Sequence, residues 1–268
     1  MDRNVRVQVA DASGNVTIFV LDQFTREQYQ TVATQLLAME ELGGEQVAFV
    51  TGENSMEMCG LEFCGNASRS FGLMVAKGQN LQGTGKMIIS VSGCDELLGV
   101  DVDPANNYTR IKMPKPLSIT TLTDMSVPFL EGASLVDLGG IMHVILMNVE
   151  PNQENFDLVK DYINETYNPP AMGAMFYDTE KDLLSPVVYV RDVDTTYFEG
   201  SCGSGSTAVA AAFSAEEKSG TFQFELQQPA GKIISTIEKA HGDIKNVWIQ
   251  GPVFLDDVTE VTLSLPEQ

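Results

Sequence analysis

The chain is poor in the residues that most often hold metals and disulfides. It has two histidines, His143 and His241, and four cysteines, Cys59, Cys64, Cys94 and Cys202, among 268 residues. No pair of cysteines is spaced Cys-x-x-Cys, so a zinc site is not expected, and four thiols are too few for a disulfide scaffold. Basic residues are also scarce. Sixteen Lys and Arg face 37 Asp and Glu, a net charge of −21, and no three bases run together. That excludes a footprint for nucleic acid and argues against anionic membrane surfaces. Nowhere does an apolar run approach the roughly 20 residues of a membrane span. The opening MDRNVRVQVA carries charge where a signal peptide needs an apolar stretch, so a cytoplasmic protein with reduced thiols is expected.

What is present reads as globular. Hydrophobic residues make up 43% of the chain and charged ones 20%, enough apolar material for one large or two modest domains. Residues 6–22 read as strand, turn, strand, with Ser13-Gly14-Asn15 at the turn. Thr25 and Gln28 form a capping box that opens a helix with Tyr29, Val32, Ala33, Leu36 and Leu37 on one face, stopped by Gly43-Gly44. Strands are expected over 46–50 and 55–63. Two further segments, 64–78 and 202–220, are small and apolar nearly all round. Arg69 is the single charge of the first before Lys77, and the second has none before Glu216. Helices without a polar face are usually buried.

These two segments belong to an internal repeat with an offset of 138 residues. Cys64 and Cys202 are each followed 29 residues later by glycine (Gly93, Gly231) and 50 residues later by proline (Pro114, Pro252). Between these marks, strands are expected at 86–91 and 108–113 in one half, and at 221–226 and 246–250 in the other. The fold class expected is α/β (α+β): two pseudo-symmetric domains, each a curved, mostly antiparallel sheet around a central buried helix. The halves are residues 1–117 and 118–268, with 114–123 as linker and the last strand free to return to the first half.

Each buried helix opens on Cys-Gly followed by a small polar residue, Asn66 or Ser204. A helix N-terminus carries unpaired N–H groups and the positive end of the macrodipole, which lower a thiol's pKa and attract carboxylate. Two thiols brought to one α-carbon could remove a proton from one face and deliver one to the other. Backbone donors would hold the charge that develops on the carboxylate. The alternative for a cysteine in such a helix is an ordinary small core residue; recurrence at matched repeat positions favours chemistry. Cys59 and Cys94 have no counterparts and read as structural thiols.

FCGNA (63–67) and SCGSGSTA (201–208) resemble the two signatures of the diaminopimelate epimerase-like, cofactor-independent amino-acid racemases. Within that superfamily the resemblance is greatest to the histidine racemases of staphylopine-type metallophore biosynthesis. It runs through SGNVTIFV (13–20), EQVAF (45–49), LEFCGNA (61–67), VSGCDEL (91–97), FEGSCGSG (198–205) and QPAGKI (228–233). It implies an active site between two domains, Cys64 and Cys202 as the acid/base pair, no cofactor and no metal. Gly65, Asn66, Gly203 and Ser204 are implied to hold the substrate's carboxylate and amine region, with Asn15 and Gln46 beside them. His143 falls near the family's active-site histidine, although a lone His in the apolar IMHVILM can equally be a satisfied core residue. Glu199, three residues before Cys202, is a candidate to orient or activate that thiol. The implied partner is a small-molecule amino acid, histidine first, and the family often forms homodimers.

Some positions depart from the pattern. Diaminopimelate epimerases carry Glu-Arg where this chain has Val193-Asp194, and the nearest arginine is Arg191, so a second carboxylate on the substrate would be poorly held. Proline racemases fit less well. Cys59 and Leu61 stand where the histidine racemases lead one to expect Ser and Asn, which bears on the side-chain pocket. The isomerase of phenazine synthesis on the same fold uses a carboxylate base, which paired thiols argue against. A protein that binds an amino acid without turning it over is the alternative outside enzymology.

Overall fold

The computed structural model describes residues 2–123, 125–191 and 194–265. The chain forms two compact units, Met1–Ile111 with Gln250–Gln268, and Lys112–Ile249.

The first unit starts with the hairpin Asp2–Ala12 and Asn15–Val20, closed in register Ala12 opposite Asn15. Its two loop residues, Ser13 (φ 59°) and Gly14 (φ 87°), both take left-handed backbone. That is the turn whose twist matches antiparallel strands and that favours glycine. Helix α1 (Arg26–Leu37) opens at Thr25, whose N–H donates to Gln28 Oε1 at 3.0 Å. Tyr29, Val32, Ala33 and Leu36 are buried as the spacing predicts, while Leu37 is 42% exposed and lies off that face. A crossover through α1 places the strand Gln46–Gly52 parallel to Asn15–Val20, with Thr17 opposite Gln46. The next strand is only Ser55–Met58. The longer strand expected to residue 63 stops because Leu61 adopts φ 61°, a turn conformation. Helix α2 (Gly65–Gly78) then leads to Gly85–Val91, Leu98–Asp103 and Tyr108–Met113, an antiparallel run. Thr259–Ser264 pairs antiparallel with the first strand, returning the end of the chain to the unit that holds its start. Val5, Val7, Ile18, Val20, Tyr29, Val32, Leu36 and Phe49 pack into one apolar cluster.

The second unit repeats this order. Ser134–Asp137 and Met142–Met147 are antiparallel, and α3 (Gln153–Thr166) crosses to the parallel strand Ala171–Asp178. Leu183–Val190 returns antiparallel, and α4 (Gly203–Phe213) is followed by the hairpin Gly220–Gln227 and Lys232–Ala240. Hairpin, helix, hairpin, buried helix, hairpin is thus the chain order of both units. Two expectations are corrected. Ser118–Thr121, inside the stretch expected to be a linker, is a strand paired with Ser134–Asp137. The helix expected to reach Gly220 ends at Phe213, because Lys239 Nζ donates to the carbonyls of Ser214 (2.6 Å) and Ala215 (2.9 Å). That buried ammonium closes the helix well before the Ser219-Gly220 stop signal.

Candidate active site

Cys64 and Cys202 are the N-caps of α2 and α4, and their backbones are nearly superposable: φ −123°, ψ 114° for one and φ −128°, ψ 115° for the other. Each sulfur accepts the N–H three residues ahead, from Ala67 at 3.5 Å and from Gly205 at 3.3 Å. One residue further, Ser68 and Ser206 donate their hydroxyls back to the carbonyls of Cys64 (2.7 Å) and Cys202 (2.6 Å). Cysteine therefore takes the place of the usual Ser or Asp cap, and its sulfur sits over the helix's unpaired donors. All four cysteines are free thiols.

Around Cys64 the first unit gathers amides. Gln46 Nε2 lies 3.4 Å from Sγ and also donates to Asn15 Oδ1 and Thr17 Oγ1, both at 2.8 Å. Asn15 Nδ2 in turn donates to Glu45 Oε2 at 3.0 Å. The parallel pairing of Thr17 with Gln46 produces this arrangement, since it sets Asn15, Thr17 and Gln46 side by side at the end of two strands. Gly65 and Asn66 form the first helical positions and are buried. Asn15, Gln46, Gly65 and Asn66 thus all lie in the polar neighbourhood of Cys64 or at its helix start.

Cys202 is set differently. It is 5% exposed. Its N–H donates to Gln228 Oε1 at 2.8 Å, and Gln228 Nε2 donates to Ser206 Oγ at 2.9 Å, so one buried amide grips both the cap residue and the first turn of α4. Ser204 Oγ lies 3.4 Å from the sulfur and 2.9 Å from His143 Nε2. His143 is fully buried in the strand Met142–Met147, and burial pushes its pKa down to about 3, so the ring is neutral at physiological pH. Its Nδ1 has no hydrogen-bond partner among the described residues. Gly173, directly across the parallel pairing, makes room for the ring: a Cβ there would overlap Nδ1. Gly205 plays the same part for the thiol, since a Cβ would overlap Met175 Sδ and come within 3.2 Å of Cys202 Sγ.

The helix N-terminus does not lower the Cys202 thiol as the sequence led one to expect. Burial, then the neighbouring Glu199 carboxylate, raise it well above its usual value, and the Ser204 hydroxyl and Gly205 N–H offset this only in part. Cys202 rests as the thiol. His143, Glu199, Gly203 and Ser204 are therefore grouped about Cys202. Cys59 packs half-buried with Gln30 Oε1 at 3.8 Å, and Cys94 lies beside the Glu96 carbonyl at 3.4 Å; neither joins a polar cluster of this kind. Val193 lies outside the described residues, so the departure at Val193-Asp194 has no geometry attached to it. A cavity of about 450 Å³ lined by Thr84, Asp101, Asp103, Tyr108 and Arg110 includes neither N-cap cysteine. Among the described residues no group of three or more His, Cys, Asp or Glu is arranged to hold a metal ion.

Sequence reasoning missed Thr17, Arg69 and Gln228. Gln228 opens QPAGKI, and Arg69 is the single charge of its helix before Lys77 in the last turn. Both signals were visible, but neither says what the side chain holds.

The fold is that of known epimerase-type structures. A phenazine biosynthesis protein of the PhzF family from Bacillus anthracis superposes with a TM-score of 0.68 at 17% identity, over 97% of this chain and 99% of the other. A hydroxyproline epimerase from Agrobacterium vitis, with bound trans-4-hydroxy-L-proline, gives 0.67 at 12% identity, over 98% and 94%. Sequence narrows this. Residues 8–258 match the family described as the histidine racemase CntK N-terminal domain. A histidine racemase of Fusobacterium nucleatum subsp. nucleatum is 34% identical over 266 residues, 92% of this chain and 95% of the relative. One from Staphylococcus aureus is 25% identical over 239 residues, 85% and 87% respectively. The chain belongs to this racemase family, and it is an isomerase that racemises an amino acid.

Proposed function

We propose that the substrate is histidine and that Cys64 and Cys202 invert its α-carbon from opposite faces without a cofactor. The observation that carries this reading is the matched pair of N-cap thiols, alike in backbone, in the N–H each sulfur accepts and in the serine that follows. The relatives named histidine racemases supply the side chain.

In this mechanism a thiolate takes the α-proton and the C–H electron pair moves into the carboxylate. The helix-start donors at Gly65, Asn66, Gly203 and Ser204 hold that charge, with Asn15 and Gln46 beside them. The opposite S–H then gives its proton to the other face of the carbon, so thiol and thiolate exchange roles at each turnover. Cys202, resting protonated, starts as the donor, and Cys64 starts as the base. Glu199 exchanges protons with Cys202. Neutral His143 fixes Ser204, and Ser204 fixes the Cys202 sulfur.

Chiral chromatography on L- and D-histidine, proline and diaminopimelate tests the assignment: only histidine should racemise at a rate above background. Cys64→Ala and Cys202→Ala should each lower that rate at least a thousandfold, the scale expected for removing an essential acid or base. Full activity in either variant, or turnover of another substrate in preference to histidine, contradicts it.

A further inference from the structure

Arg69 is entirely buried, and its charge has no carboxylate within ion-pair distance among the described residues. An isolated charge in an apolar interior is costly, and a methionine or leucine would fill the same space more cheaply. Its hydrogen bonds go to neutral acceptors. Nε donates to Asn66 Oδ1 at 3.0 Å, Nη1 to the carbonyls of Gly251 and Pro252, both at 3.0 Å, and Nη2 to Ser13 Oγ at 2.9 Å. The planar fork thus joins three stretches of the first unit: the start of α2, the turn before Asn15, and Gly251-Pro252 at the end of the strand Asp243–Pro252. Burial brings its pKa to about 10, with Tyr108, Cys64 and Asp11 favouring the charged form, so it stays a cation at neutral pH.

We infer that Arg69 is a positioning residue for the racemase, locking the Asn66 side chain with its oxygen inward and its N–H2 group turned toward the substrate carboxylate. The inference rests on the reading of Asn66 as a carboxylate contact. A side-chain amide has one acceptor end and one donor end of nearly the same shape. Left to itself it could present the oxygen, which would repel a carboxylate. With the guanidinium behind it, a flip would set N–H against N–H, so only the productive orientation survives. The same cation holds Ser13, whose left-handed turn delivers Asn15, so both amides are fixed by one residue that touches no substrate. The serine hydroxyl and two carbonyls take three of the four N–H donors that remain, a planar spread over several partners that suits an arginine rather than a lysine.

A double-mutant cycle tests this, with KM and kcat for histidine measured beside thermal melting for Asn66→Ala, Arg69→Met and the pair. Asn66→Ala should raise KM at least tenfold. Arg69→Met should raise KM by a similar factor with a smaller effect on kcat, and the double variant should be no worse in KM than Asn66→Ala alone. Multiplying effects in the pair, or an unchanged KM in Arg69→Met, overturns the inference while leaving the Asn66 contact intact. An unchanged KM in Asn66→Ala overturns the contact itself and the inference with it. If Arg69→Met does not fold, Asn66→Asp decides. It keeps the acceptor and gives the guanidinium a counter-charge, so melting should hold or rise, yet it removes the donors, so KM should rise at least tenfold. An unchanged KM there overturns the inference.

Discussion

Cys64 and Cys202 share backbone angles and cap bonds, yet their surroundings differ: amide donors of Gln46 stand beside one sulfur, and the Glu199 carboxylate beside the other. This matters for pH dependence. In a thiolate/thiol mechanism the alkaline limb of the rate profile is set by loss of the thiol that donates. Glu199 raises the Cys202 thiol, so replacing it should lower that pKa. Glu199→Gln is therefore expected to move the alkaline limb of kcat/KM to lower pH, measured with either enantiomer; an unmoved limb would separate Glu199 from the thiol. Because enantiomers have equal free energy, kcat/KM must match in the two directions, which gives an internal check. His143 offers a second reading of the same kind. Its folded pKa of about 3 lies below the ordinary value, so its contribution to stability is present above about pH 6.5 and is lost as pH falls toward 3. Between pH 7 and 4, His143→Gln should lose roughly 3 kcal/mol less unfolding free energy than the parent, by urea denaturation at both pH values. Equal losses would mean the ring is not held neutral. The two N-cap thiols were legible because the repeat singled them out. Arg69 and Gln228 were not, since a lone charge or amide in sequence does not reveal which carbonyls, caps or hydroxyls it will meet.

At the level of elements, the strand ends and helix starts do the positioning. The turn Ser13-Gly14, the α1 cap at Thr25 and the buried helices α2 and α4 were all readable, because each depends on residues adjacent in sequence. The early end of α4 was not readable: the lysine that satisfies its last carbonyls lies some 25 residues downstream. The short strand Ser55–Met58 was over-extended for a similar reason, as nothing local announces that Leu61 will turn left-handed. Parallel strands that supply a thiol's neighbours also need room between them. Gly173 provides it opposite His143, and Gly173→Ala should push the ring from Ser204. We expect at least a tenfold fall in kcat with a stability loss of about 1–3 kcal/mol, the usual cost of one methyl too many in a packed site. Wild-type kcat in a folded Gly173→Ala protein would show that the His143–Ser204 contact has no bearing on turnover.

Across the whole chain, one order of elements occurs twice, and each occurrence ends its strand pair in a Cys-Gly helix start. The repeat was visible in sequence as a few marks at one offset, with little identity between the halves. What sequence could not show is how differently the copies are furnished: Gln46 and Arg69 serve the first, and His143, Glu199 and Gln228 the second. The surplus of acids bears on solubility and partners and does not select a substrate. The most direct test of the two-thiol account is racemisation in D₂O, with both product and recovered histidine analysed by mass at early times. Starting from either enantiomer, the product should carry deuterium at the α-carbon while recovered substrate keeps its protium, because the base holds one proton and the opposite thiol supplies the other. Protium retained in the product, or deuterium entering recovered substrate as fast as product forms, would contradict it.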